Sequence, residues 1–148
     1  MPITLTALQS SENQYVLAQA SQLVGHAIAA LKNARGNGWW HLVVELGAGR
    51  FGAIRFDDLA PHARSGGDAF FRQTLGDLVG DLIPVATTVD QNAVDDNAAI
   101  DQAYDCPGQL VVVTQGERCA GILHVGFIGS FEETGLLDLY DQFEAQNV

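Results

Sequence analysis

The sequence predicts a single α/β (α+β) domain made of two tandem β-α-β-β-α repeats, and three observations predict it. First, the chain matches itself when shifted by 69 positions (116 − 47): Gly47 falls on Gly116, Gly52 on Gly121, Val43-Val44 on Val112-Val113 and Ala29-Ala30 on Ala98-Ala99. The shift needs no gap, and an internal period is stronger evidence of architecture than local propensity. Second, each copy joins one stretch of helical periodicity to two short β-branched runs around a glycine turn. Third, a chain of 148 residues that is 47% hydrophobic has the length of one domain and enough apolar side chain for a core.

The elements follow in order. From Ser21 to Ala34 the apolar residues Leu23, Val24, Ala27, Ile28, Ala30 and Leu31 recur at helical spacing, with Ser21 as the expected N-cap and Arg35-Gly36-Asn37-Gly38 as the stop. Trp40 to Glu45 reads as a strand, Gly47 and Gly49 as a turn, and Phe51 to Phe56 as the second arm of a hairpin. Asp57-Asp58-Leu59-Ala60 opens a short helix that tolerates Pro61 in its first turn. Ser65-Gly66-Gly67-Asp68 reads as a flexible connector and Phe70 to Leu78 as a short helical linker. Extended chain resumes at Ile83-Pro84-Val85, and a second helix is expected from Asp90, the counterpart of Ser21. The strands Gln109 to Val113 and Ala120 to Val125 then flank Gly116. Ser130 and Glu133 form a capping box for a last helix with Leu136, Leu137, Tyr140 and Phe143 on one stripe, expected to close the second unit. The boundaries are 15–63 for the first repeat, 64–83 for the linker, 84–130 for the second repeat and 130–144 for the last helix.

Composition excludes several function classes. Eighteen Asp and Glu against seven Lys and Arg leave a net charge of −11, which repels a nucleic-acid backbone. No apolar run approaches the roughly 18 residues of a membrane span, and Met1-Pro2-Ile3-Thr4 lacks the basic start of a signal peptide, so the cytoplasm is the expected compartment and no membrane partner is expected. Cys106 and Cys119 fit no metal or redox spacing, and His26, His41, His62 and His124 form no i, i+3 or i, i+4 pair, so no metal is expected. With no Gly-x-Ser-x-Gly elbow and no paired carboxylates, the chain is read as a non-enzyme. The aspartates 90, 95, 96, 101 and 105 read as a solvated face.

The best-matched stretches are Leu42-Val43-Val44-Glu45-Leu46-Gly47 leading to Gly52-Ala53-Ile54-Arg55-Phe56-Asp57-Asp58-Leu59, and Leu110-Val111-Val112-Val113-Thr114-Gln115-Gly116 leading to Gly121-Ile122-Leu123. A unit of this kind resembles the CBS domain, the regulatory repeat named after cystathionine β-synthase, which occurs in pairs. The resemblance covers both repeats. It implies a disc with pseudo-twofold symmetry, association of discs into a homodimer, a regulated partner protein, and clefts for an adenosine ligand such as AMP, ADP, ATP or S-adenosylmethionine. It implies a signature of Gly, two apolar residues, Ser or Thr, two further residues and Asp, whose carboxylate accepts from the ribose hydroxyls. Gly52 and Asp58 occupy the ends of that pattern, with Arg55 at the hydroxyl position as a phosphate partner. In the second repeat His124 and Phe127 take the corresponding places. Thr87 and Thr88, in the lead-in to the second repeat, complete the implied ligand set, with Ala18 and Gln19 as their shifted counterparts.

Each of these residues also has a plain structural role. Asp58 suits a helix cap, Arg55 a snorkelling or ion-paired strand residue, and His124 a hydrogen-bonded strand end. Trp39 and Trp40 point to opposite faces of a strand, so one is a candidate interface residue. The alternative to a ligand sensor is therefore a ligand-free interaction or dimerisation module on the same fold.

Overall fold

The computed structural model describes residues 15–34, 41–92, 96–106, 109–124 and 136–146. The first repeat contains β1 (Tyr15–Gln19), α1 (Val24–Ala34), β2 (His41–Gly47), β3 (Arg50–Arg55), a 3-10 turn (Phe56–Leu59) and α2 (Ala60–Gly66). Two short helices follow, α3 (Asp68–Phe71) and α4 (Leu75–Leu78). The second repeat contains β4 (Thr88–Asp90), α5 (Asp96–Tyr104), β5 (Leu110–Gln115) and β6 (Arg118–His124), and α6 (Leu136–Gln146) lies beyond it. Among the described residues no helix is long and apolar enough to cross a membrane.

The repeat is realised strand by strand. Each half forms a three-stranded sheet, ordered β1-β2-β3 or β4-β5-β6, in which the lead-in strand is parallel to the middle strand and the hairpin is antiparallel. His41 pairs with Arg55 and Leu42 with Ile54; Leu110 pairs with His124 and Val111 with Leu123, so the hairpins keep the 69-residue register. Gly47 and Gly116 both turn with positive φ, +90° and +67°, a conformation that glycine adopts without a Cβ clash.

The lead-in strands depart from that register. Leu17 opposes Val43, whereas Thr88 opposes Val112, so these segments correspond at a shift of 71 (88 − 17). The first repeat thus holds two more residues than the second between lead-in strand and middle strand, and the counterparts of Thr87 and Thr88 are Val16 and Leu17 rather than Ala18 and Gln19. Burial agrees: Ala18 and Val89, the residues that face inward, are 3% and 5% exposed.

The hairpins are buried on both faces. Alternation along β2 sends Leu42 and Val44 towards the helices and Val43 towards the other sheet. Val43, Phe51 and Ala53 of the first sheet meet Leu110, Val112 and Ile122 of the second in an inter-sheet core, while Val111, Val113 and Leu123 pack under α5. This is why both middle strands read as unbroken apolar runs.

Three further expectations are corrected. Helix α1 begins at Val24 instead of Ser21, because the Val24 N–H donates to the Gln73 carbonyl (2.9 Å) and the chain before it is drawn into a turn in which Gln22 Oε1 accepts from the Gln19 N–H (2.8 Å). Asp90 likewise ends β4 and accepts from the Asn92 N–H (2.8 Å) rather than capping a helix. The last helix does not close the second unit. It lies on α1, α2, α3 and the 3-10 turn of the first, where Tyr140 joins the core with Phe71 and Leu59. The rings of Phe71 and Phe143 stand 5.0 Å apart, and Lys32 of α1 binds Asp141 of α6 at 2.6 Å. The short helical linker is present as α3 and α4 and belongs to the core through Phe70, Phe71, Leu75 and Leu78, with Thr74 Oγ1 capping α4 by accepting from the Asp77 N–H (3.3 Å), whereas the expected connector Ser65 to Asp68 is reduced to a break at Gly67 between α2 and α3.

Candidate functional site

A cavity of about 240 Å3 opens between the two repeats, lined by Ala53, Ile54 and Arg55 of β3, Asp58 of the 3-10 turn, His62 of α2, Leu82 and Pro84 of the chain entering the second repeat, and Leu110 at the start of β5. Each part has a local cause. The β2–β3 register ends at Arg55, and the chain turns at once into the 3-10 segment, whose Phe56 and Leu59 are fully buried and anchor it. That leaves Asp58 on the exposed side. His62 follows four residues on, one helical turn further along the same face. Pro61 sits in the first turn of α2, where its missing N–H costs nothing.

The opposite wall comes from the second repeat. The lead-in chain crosses β3 at Gly52: the Ala53 N–H donates to the Pro84 carbonyl (3.1 Å) and the Ala86 N–H to the Phe51 carbonyl (2.8 Å). Pro84 and Leu82 are thereby held over the cavity. Leu110, 3% exposed, is the shifted counterpart of His41.

The sequence-derived site residues divide into three groups. Arg55 and Asp58 are brought into one cavity. Gly52 lies beneath the crossing chain, where a Cβ would stand 3.1 Å from Cγ2 of both Ile83 and Val79, so its small size is needed for backbone approach. Thr87 and Thr88 continue the crossing segment past Pro84 and do not line this cavity; the Thr87 carbonyl accepts from the Val112 N–H (2.9 Å). His124 ends β6 opposite Leu110, and its side chain lies outside the described residues, as do Phe127, Trp39, Trp40 and the capping box of Ser130 and Glu133.

The helix-cap reading of Asp58 is overturned. The N-cap position of α2 is Leu59, which makes no side-chain cap bond. Among the described residues the Asp58 carboxylate has no hydrogen-bond or ionic partner, so it stands available at the cavity mouth. Reading the sequence did not single out His62, Leu82, Pro84 or Leu110 for the site. The four-residue spacing from Asp58 was a signal for His62, whereas Leu82 at the end of the linker and Pro84 and Leu110 of the second repeat had none.

The cavity therefore combines an apolar inner wall with one cation, one carboxylate and one imidazole at its rim. That arrangement suits a flat, partly apolar ligand bearing hydroxyls, and the volume lies just below the roughly 300–1,000 Å3 typical of small-molecule clefts. Among the described residues it contains no nucleophile beside a base.

No family model and no curated protein sequence matches the chain. The solved structure of the CBS-pair protein CBSX2 from Arabidopsis thaliana is similar to it, with a TM-score of 0.57, 14% sequence identity, and coverage of 97% of this chain and 96% of that one. With its two β-α-β-β halves and that likeness over nearly the whole length of both chains, this chain has the fold of a CBS domain pair.

Proposed function

We propose that the chain is a non-catalytic regulatory module that binds an adenosine ligand in the cleft between its repeats. The observation that carries this reading is the cavity itself: Asp58, freed from helix capping, faces an apolar wall supplied by the other repeat, with Arg55 and His62 beside it. In this reading the base lies against Ile54, Pro84 and Leu110. The ribose hydroxyls donate to Asp58, and Arg55 faces the first phosphate. Occupancy then bridges the two repeats, because its walls belong to both. Homodimer formation and action on a partner protein belong to the same proposal.

Isothermal titration and thermal unfolding with adenosine, AMP, ADP, ATP and S-adenosylmethionine test it. A ligand at about 100 times its Kd adds about 2.7 kcal/mol, a rise of roughly 5–11 °C for a domain of this size. Asp58→Ala is expected to weaken binding roughly 10-fold or more, since hydrogen bonds to a charged group contribute about 1.5–3 kcal/mol. The ligand-free protein should keep its stability to within about 0.5 kcal/mol, as an exposed side chain without partners is lost.

The competing reading, a ligand-free dimerisation or interaction module, is favoured by the exposed apolar residues Leu17 (43%), Val85 (47%) and Tyr104 (55%). No thermal shift with any of these ligands, together with a dimer by light scattering, would establish it over the sensor.

A further inference from the structure

Beyond His62 the cleft meets a second cavity of about 410 Å3, whose lining includes Ser65, Phe70, Gln73, Leu78 and Asp81. His62 and Leu82 line both cavities, so the two are neighbours on either side of these side chains. The floor of the second is apolar, with Phe70 and Leu78 only 5% and 8% exposed, and Asp81 stands exposed on its rim. Among the described residues no lysine or arginine lines it.

Resting on the adenosine reading above, we propose that this second cavity is a subsite for the substituent carried by the nucleoside, and that it accepts a short alkyl chain ending in an ammonium group and disfavours a polyphosphate. The charges decide the class. Among the described residues of both cavities, Arg55 is the one cation and Asp58 and Asp81 are the anions of the lining. Arg55 meets a first phosphate. Further phosphates would extend towards Asp81, past no basic side chain among the described residues, in a protein of net charge −11. An aminoalkyl chain instead lays its methylenes on Phe70, Leu78 and Leu82 and brings its N–H groups to Asp81.

The test is a titration series at low ionic strength with adenosine, methylthioadenosine, adenosine bearing an aminopropylthio group in place of the ribose primary hydroxyl, AMP and ATP. The aminopropylthio compound should bind roughly 2- to 5-fold more tightly than methylthioadenosine, the range expected of one solvent-accessible ion pair, and ATP should bind more weakly than AMP. Asp81→Asn should abolish the ammonium gain and leave AMP and methylthioadenosine unchanged. Asp81→Lys should reverse the order and raise ATP above AMP. If adenosine and the other compounds bind but the ammonium adds nothing, or ATP binds best to the unmodified protein, the subsite is wrong and the adenosine cleft stands. If none of them binds, both fall.

Discussion

Replacing Gly52 by alanine tests how the two repeats are joined. Its φ lies outside the left-handed range, so alanine can adopt the same backbone. The cost is therefore steric. The new Cβ would sit 3.1 Å from Cγ2 of Ile83, 3.1 Å from Cγ2 of Val79 and 3.4 Å from the Pro84 carbonyl oxygen. Ile83 is fully buried and the Pro84 carbonyl is tied to the Ala53 N–H, so relief requires the crossing chain to lift from β3. Overpacking of this kind costs about 1–3 kcal/mol, a fall in Tm of roughly 2–12 °C at this chain length. Calorimetric unfolding measures it. A second variant, Gly52→Ala with Val79→Ala, removes one of the two crowding methyls, and its loss should fall short of the sum of the single losses by about 0.5 kcal/mol or more. An unchanged or raised Tm for Gly52→Ala, or strict additivity in the pair, would refute the close crossing. It would also return Gly52 to the role of a ligand-facing glycine.

Two further outcomes concern the last helix. Phe71, 2% exposed and ringed by Tyr140 and Phe143, should cost about 3–5 kcal/mol when cut to alanine, as buried aromatics do. A loss below about 1 kcal/mol by urea unfolding would mean that α6 does not pack there. Burial, and then the hydrogen bond that the phenol donates to Glu144 (3.0 Å), raise the Tyr140 pKa above its ordinary value of 10.0. The folded state thus favours the protonated phenol. That contribution is complete below pH 10.0 and is lost as pH rises through the folded-state pKa. Tyr140→Phe should therefore flatten the alkaline loss of stability, and phenolate absorbance should show one tyrosine titrating late. An alkaline limb of the same steepness in Tyr140→Phe would remove this group from the account. Lys32 acts in the same direction: its hydrogen bond to Asp141 raises its pKa above 10.5 and keeps the helix contact charged into the alkaline range.

What could be read from the sequence is what neighbouring residues encode among themselves. The glycine turns at Gly47 and Gly116, the paired valines and the helical spacing from Leu23 to Leu31 are short-range patterns, and the 69-residue shift multiplied each of them by two. The hairpin registers followed, because turn geometry sets the pairing of the strands it joins. Asp58 and Arg55 were legible as a pair through the resemblance, whose signature places them six and three residues after Gly52.

Tertiary structure alone decided the rest. Nothing in the apolar stripe of α6 states which helix it covers; packing of Tyr140 and Phe143 on Phe71 assigns it to the first repeat. The Gln73 carbonyl moved the start of α1 to Val24, and parallel pairing to β5 set Thr88 two positions off the repeat. The cleft acquired Leu82, Pro84 and Leu110 because the second repeat folds back over Gly52, with Ala53 hydrogen-bonded to Pro84. Such partnerships depend on shape and hydrogen-bond matching between segments distant in the chain, whereas periodicity and turn chemistry are complete within a few residues. The sequence by itself therefore determined the repeat and its hairpins, and the packing of one repeat against the other determined the site.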